Sequence, residues 1–296
     1  MKLGFCFLSY GDIEMGTAWS SFFQDVDTSK YAIFIHRADG QRHTWMSNAR
    51  VIPHRKTAWG SFQLLEVQQD LFTAAVEDPE VAKCILLSGD TIPLYGFDKI
   101  YDVLTADNKG YLEFGKKPNA VHKSRERTAN QTMWPREMPW SWFIASQWCV
   151  LNRRHIRMLK DKWDMLCSVF DGSSVPDEHM YPTFFNGAQC VDTFHTRSAM
   201  YVDWCSKSRG CSLQHRAEPK TIHKNDLSVQ YVTGIYNSGA LFVRKICRLT
   251  QLEYDWRKER PLLPTLNIPP QYGGRDVFKM EQAGPVRFPP KRDPLL

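Results

Sequence analysis

The chain reads as an α/β protein with a mainly parallel central sheet flanked by helices. Three observations predict this. Short apolar runs recur at Leu3–Leu8, Tyr31–His36 and Cys84–Leu87; segments with helical spacing of apolar residues separate them; and the connections between runs and stripes are only a few residues long. Buried parallel strands need such near-continuous apolar runs, and a helical crossover between consecutive strands returns the chain in the same direction.

Taken in order, Leu3–Leu8 is the first strand, and Trp19, Phe22 and Phe23 mark one face of a helix over Thr17–Phe23. Tyr31–His36 completes a β-α-β opening. From Ala58 to Asp78, the residues Leu64, Leu65, Val67, Leu71, Phe72, Ala75 and Val76 form a helical stripe that Asp78-Pro79 ends. The strand Cys84–Leu87 follows, then the turn Ser88-Gly89-Asp90, then a helix from Phe97 to Leu104. Ligands of such sheets bind beyond the carboxyl ends of the strands, so the loops after Ile35 and Leu87 are the expected functional ones. Residues 115–141, rich in Lys, Arg, Asn and Pro, read as an extended loop. Trp140, Trp142 and Trp148 suit either core packing or stacking on sugar faces. Residues 1–250 are expected to form the catalytic domain. The segment 251–296 holds eight of the 17 prolines and reads as a wrapping or partly disordered extension.

A chain of 296 residues with 43% apolar content can bury a substantial core without metals or disulfides. Its 8 cysteines are scattered, with no CxxC pair, and read as mostly reduced core residues. The opening MKLGFCFLSYGD is too short in apolar residues for a signal peptide or a spanning helix, which suits a cytoplasmic protein. A net charge of +6 could attract a polyanion, yet 32 acidic residues are interspersed with 38 basic ones. The clusters His122–Arg127 and Arg153-Arg154-His155 are short and broken, so a solvated face or a small phosphate site is expected in place of a nucleic-acid track.

The stretch VPDEHMYPTFF, Val175 to Phe185, carries the chemistry most directly. Asp177 and Glu178 stand behind a proline and ahead of an aromatic-rich run, where a carboxylate can be held against a hydroxyl and take its proton. Pro and acids also favour the first turn of a helix, so from these residues alone a cap is the better reading of the pair.

Several pieces together resemble the core-2/I-branching N-acetylglucosaminyltransferase family, which includes peptide O-xylosyltransferases and plant, bacterial and viral relatives. They are FCFLSY with Trp19 and Phe22-Phe23, YAIFIH ending at His36, Trp59-Gly60, LLSGDTIPL, Ser146-Gln147-Trp148 with Leu151 and Arg153, PDEHMYPT, Val202-Asp203-Trp204 and LFVRK from Leu241 to Lys245. The resemblance runs from Lys2 to about Arg248. It implies a GT-A type fold and an inverting, metal-independent transfer from a UDP-sugar to a glycan hydroxyl, giving a β linkage. N-acetylglucosamine is the favoured donor sugar and xylose its competitor.

It also implies roles. Glu178 becomes the general base, with Asp177 supporting the loop or positioning the acceptor. Asp90, Gln147 and Trp148 fall on the substrate side, and His36 where base and ribose are received, although IHRADG places Ala38 two residues after the histidine and Asp39 next. Many GT-A enzymes hold a divalent metal with a DxD motif. This chain offers Ser88-Gly89-Asp90 at that place, and the Asp25-Val26-Asp27 triplet sits at a helix end. Lys245, with Arg244 beside it and Lys220 upstream, is the implied cationic substitute, and no cofactor or metal is expected. The expected partners are a UDP-sugar and a glycan acceptor, with no nucleic acid and no membrane span. A catalytically silent glycan- or nucleotide-binding relative is the alternative.

Overall fold

The computed structural model describes residues 1–41, 45–115, 120–204 and 219–247, all of them within the unit Met1–Pro264. The expected boundary at 250 and the extension 251–296 lie outside the described residues.

The chain opens with β1 (Lys2–Ser9), α1 (Gly16–Phe22) and β2 (Tyr31–Arg37), followed by the short edge strand β3 (Arg50–Val51). Then come α2 (Phe62–Glu77), β4 (Val81–Ser88), β5 (Ile92–Pro93), α3 (Phe97–Thr105) and β6 (Gly110–Tyr111). A polar helix α4 (Ala120–Thr128) precedes β7 (Val150–Asn152), α5 (Arg153–Asp161), α6 (Trp163–Phe170) and α7 (Met180–Gly187). The remaining elements are β8 (Phe194–His195), β9 (Met200–Val202), α8 (Val229–Asn237) and β10 (Phe242–Arg244).

Seven strands form the central sheet in the order β3-β2-β1-β4-β7-β6-β8, and β5-β10-β9 form a second, smaller one. β1 pairs in parallel with both β2 and β4, with Phe5 opposite Ile33 on one side and Ile85 on the other. β7 runs antiparallel to β4 and β6. The three apolar runs are thus the three central parallel strands, covered on both faces, which is why they carry almost no alternation. On one face Leu65, Leu71, Phe72 and Ala75 of α2 are fully buried. An aromatic cluster of Phe5, Phe7, Trp19, Phe22, Phe23 and Phe97 fills another part of the core with ring centroids 4.9–6.3 Å apart. Fully burying each such ring stabilises the fold by roughly 1.5–3 kcal/mol. The Trp19 indole N–H donates to the Thr91 carbonyl at 2.8 Å, tying α1 to the turn beyond β4. Gly110 is required where β6 meets β7, because a Cβ there would lie 2.6 Å from the Val150 carbonyl oxygen.

The structure differs from the sequence reading at 115–141, where α4 and a single 3-10 turn (Gln131–Met133) replace part of the expected loop. With AVHKSRERT for its sequence, α4 has no apolar stripe for periodicity to find. No helix of the described residues is long and apolar enough to cross a membrane. Cys6, Cys84, Cys149 and Cys190 are free and buried; Cys205 and Cys211 lie outside the described residues.

Candidate active site

The parallel strands β1, β2 and β4 all end on one edge of the sheet, at Ser9, Arg37 and Ser88. The Pro176–Glu178 segment is one 3-10 turn leading into α7. Before it, Val175 adopts a left-handed conformation (φ 54°, ψ 52°), which costs a β-branched residue roughly 1–3 kcal/mol. Its N–H donates to the Gly60 carbonyl at 3.1 Å, and Gly60, itself at φ 68°, supplies the tight turn that presents that carbonyl.

This turn sends the two acids in opposite directions. Asp177 is 4% exposed, its Oδ1 meets no hydrogen-bond partner among the described residues, and burial, reinforced by the adjacent Glu178 charge, pushes its carboxyl up to about 7. The Glu178 side chain is 28% exposed, and its Oε2 accepts from Arg125 Nη1 at 3.0 Å. Its backbone carbonyl accepts from Ala145 N–H at 2.8 Å. His179, next in the chain, is fully buried; its Nδ1 lies 2.7 Å from the Phe143 carbonyl oxygen, and its ring stacks on Trp142 with centroids 4.4 Å apart.

A second group forms where β10 meets the turn after β4. Arg244 Nε donates to Ser88 Oγ at 3.0 Å, and its fork approaches Asp90 at 3.4 and 3.5 Å. The guanidinium lies over the Trp148 ring, 4.5 Å from the centroid. Ser88 Oγ also donates to Asp90 Oδ1 at 2.5 Å, and the Asp90 carbonyl accepts from Ile246 N–H at 2.9 Å. Asp90, Trp148 and Arg244 are therefore brought together. Trp148 is only 7% exposed, so the face of its ring is given to Arg244. Trp148 lies three residues after Ala145, whose N–H holds the Glu178 carbonyl, so the segment 145–148 joins the two groups.

Lys245, next along the chain, makes no side-chain hydrogen bond or ion pair with any described residue. Lys220 is on the neighbouring segment, since Ile222 pairs in parallel with Ile246 and donates to the Lys245 carbonyl at 2.7 Å. Its ammonium is taken up by Asp226 Oδ1 at 2.6 Å and by the Tyr231 ring at 5.2 Å. Gln147 Oε1 accepts from Gln68 Nε2 of α2 at 3.0 Å.

At the end of β2, His36 is fully buried and accepts the Arg55 N–H on Nε2 at 3.1 Å. Burial, with the nearby His54, lowers its pKa, so the ring is neutral with its proton on Nδ1. It braces the 53–55 segment from within and offers no surface to solvent. Asp39 is held by the buried Arg37, whose Nε and Nη2 reach its two oxygens at 3.0 and 2.6 Å. Asp27 closes a turn by accepting from Ser29 N–H at 2.8 Å, so the Asp25-Val26-Asp27 triplet belongs to the loop after α1. No group of three or more His, Cys, Asp or Glu that could hold a metal ion is found among the described residues. A shallow cleft lined by Pro79, Ala82, Arg153, Arg154 and Arg157 lies at the opposite end of β4 and takes no part in these groups.

A family model described as Core-2/I-Branching enzyme matches residues 3–235. The chain belongs to the Core-2/I-Branching enzyme family. A curated relative, glycosyltransferase BC10 of Oryza sativa subsp. japonica, is 23% identical over 172 residues, covering 56% of this chain and 42% of its own length. The chain thus spans less than half of that relative.

Within this Core-2/I-Branching chain the mainly parallel seven-stranded sheet is of the GT-A type, and sugar transfer is the activity of the family. Two residues at the site escaped the sequence reading. Arg125 sits in a mixed-charge run that reads as a solvated face, and only the fold of α4 aims it at Glu178. His179 follows the acids directly, but nothing in its neighbours shows that its ring turns inward. Trp204 is 53% exposed and forms an isolated antiparallel bridge with Pro219.

Proposed function

We propose that the protein is an inverting glycosyltransferase that moves a sugar, N-acetylglucosamine or xylose, from UDP to a hydroxyl of a glycan acceptor without a divalent metal. The observation that carries this reading is the division between the two acids of one 3-10 turn. Asp177 is buried and its carboxyl titrates near neutrality, whereas Glu178 reaches the surface as a carboxylate paired with Arg125.

In the proposed reaction Glu178 takes the proton of the acceptor hydroxyl. The hydroxyl oxygen forms a bond to the anomeric carbon from the face opposite UDP, the bond from that carbon to the β-phosphate oxygen breaks, and its electron pair leaves on the diphosphate. Lys245 is the cation best placed to meet the departing charge, because no described carboxylate already neutralises it. At ~4 Å and an effective dielectric of 20, one such contact contributes about 4 kcal/mol of Coulomb energy. Arg244 is tied to Asp90 and Trp148, and Lys220 to Asp226, so both would be held rigidly and would offer less net positive charge than Lys245. The single carboxylate of Ser88-Gly89-Asp90 already faces a guanidinium, which supports cationic over metal stabilisation of the leaving group.

Trp59, 84% exposed and adjacent to the Gly60 that holds Val175, offers an apolar face on which an acceptor sugar can stack beside Glu178. The reading is tested by thermal shift with UDP, UDP-N-acetylglucosamine and UDP-xylose, each with EDTA and with Mn²⁺. Stabilisation by the nucleotide in EDTA is expected. Stabilisation only with Mn²⁺ would refute the cationic mechanism, and none with any nucleotide would favour a glycan-binding protein.

A further inference from the structure

The side chains around Glu178 fix one another in a definite order. The Phe143 carbonyl can only accept, so the 2.7 Å contact places a proton on His179 Nδ1. Burial then keeps the ring neutral, its pKa pushed down to about 4 with Arg125 adding to the effect, and Nε2 is left as an acceptor. That nitrogen faces Arg125 Nη1 at 3.4 Å, and the same Nη1 lies 3.0 Å from Glu178 Oε2. A guanidinium Nη carries two hydrogens, one for each neighbour. The ring cannot turn to break this pattern, because it stacks on Trp142 (4.4 Å, 24°), which in turn stacks on Phe170 (5.8 Å, 19°). The helix that carries Arg125 is held in its own right. Trp140 Nε1 donates to Glu126 Oε1 at 3.0 Å, and the His122 ring meets His179 edge-on at 5.6 Å.

We infer that His179 is a positioning residue that acts through Arg125: the neutral imidazole sets the direction of the guanidinium, and the guanidinium sets the direction in which the Glu178 carboxylate meets the incoming hydroxyl. The inference rests on the reading of Glu178 as the base and deepens it. The charged and titratable groups that face this relay are Asp177 on the same turn and Arg125, His122 and Glu126 on α4. A misplacement of about 1 Å at a reacting group can cost on the order of 10²-fold in rate, so a contact with no substrate atom can still be read in turnover.

Two substitutions separate this role from a merely structural one. In His179→Asn the amide nitrogen stands where Nδ1 was and keeps the bond to Phe143, but nothing reaches Arg125. In His179→Gln the amide oxygen stands near Nε2 and keeps the contact with Arg125, while the bond to Phe143 is lost. The relay predicts a fall in kcat of about 10-fold or more for His179→Asn, with the affinity for UDP unchanged, and a fall of less than about 3-fold for His179→Gln. In ¹⁵N-arginine spectra of the unliganded protein, assigned by their loss in Arg125→Lys, the Nη1 hydrogens of Arg125 should stay distinct in the unaltered protein and in His179→Gln. They should average with solvent in His179→Asn. The opposite ranking, equal losses in the two variants, or Arg125 signals that ignore both would overturn the inference. If the unaltered protein transfers from no UDP-sugar, the transferase reading fails, and the arginine spectra still decide whether the relay exists.

Discussion

Replacing Asp177 by Asn tests the buried half of the acidic pair without any ligand. The Asp177 carboxyl is shifted from 3.8 to about 7, mainly by burial and then by the Glu178 charge. The fold therefore prefers the protonated form. Below pH 4 the carboxyl is protonated in both folded and unfolded chains and costs nothing. Between pH 4 and 7 the unfolded chain ionises while the folded chain resists, and the folded state loses about 1.4 kcal/mol per pH unit. Above pH 7 the loss is constant at about 4 kcal/mol, the product of a shift of about three pH units and that slope. Asn carries no charge at any pH, so its own packing cost is a constant offset. Urea unfolding of both proteins from pH 4 to pH 8 should give a stability difference that moves in favour of Asp177→Asn by about 4 kcal/mol across this range and levels off above pH 7. A difference that is flat with pH would refute the buried, reluctant acid.

Other consequences can be checked by simpler means. Lys245→Ala should weaken UDP binding about 10- to 100-fold by calorimetry in EDTA, the loss of one charge-assisted contact, whereas Lys220→Ala should cost less because Asp226 already holds that ammonium. Trp148→Ala removes both a buried ring and the surface under Arg244, and should lower stability by about 3–5 kcal/mol in denaturant unfolding together with a loss of UDP affinity. His155 and His179 are buried neutral, with pKa values pushed down to about 3 and about 4 by burial. Their contribution is present above pH 6.5 and is lost as pH falls toward those values, so His155→Gln should lessen the acid sensitivity seen by circular dichroism between pH 6 and 4.

The parts of the fold legible in the sequence are those whose burial is continuous along the chain. Leu3–Leu8, Tyr31–His36 and Cys84–Leu87 became the three central strands because a parallel strand covered on both faces must be apolar at nearly every position. The stripe from Leu64 to Val76 became α2 for the corresponding helical reason. What stayed hidden was set by tertiary contacts. α4 carries charged residues along most of its length, and His122 is buried where it approaches His179. Adjacency in sequence made Asp177 and Glu178 look equivalent, and a left-handed residue and a single 3-10 turn send one inward and the other out. The neighbours Arg244 and Lys245 look alike in sequence, yet their surroundings differ: Arg244 engages Asp90 and Trp148, while Lys245 has no such partner among the described residues. His36 was expected where base and ribose are received, and its hydrogen bond to Arg55 became visible only with the loop folded over it.

The central claim is that Glu178 removes the proton of the acceptor hydroxyl. Glu178→Gln keeps the size of the side chain and a hydrogen-bonding oxygen for Arg125 but cannot take up a proton. The direct measurement is the turnover of this variant with the UDP-sugar that best stabilises the protein, beside its affinity for UDP in EDTA. The account predicts a fall in kcat of about 10²-fold or more with UDP binding within about 3-fold of the unaltered protein. Turnover retained within about 3-fold would show that another group removes the proton, and the assignment would fail.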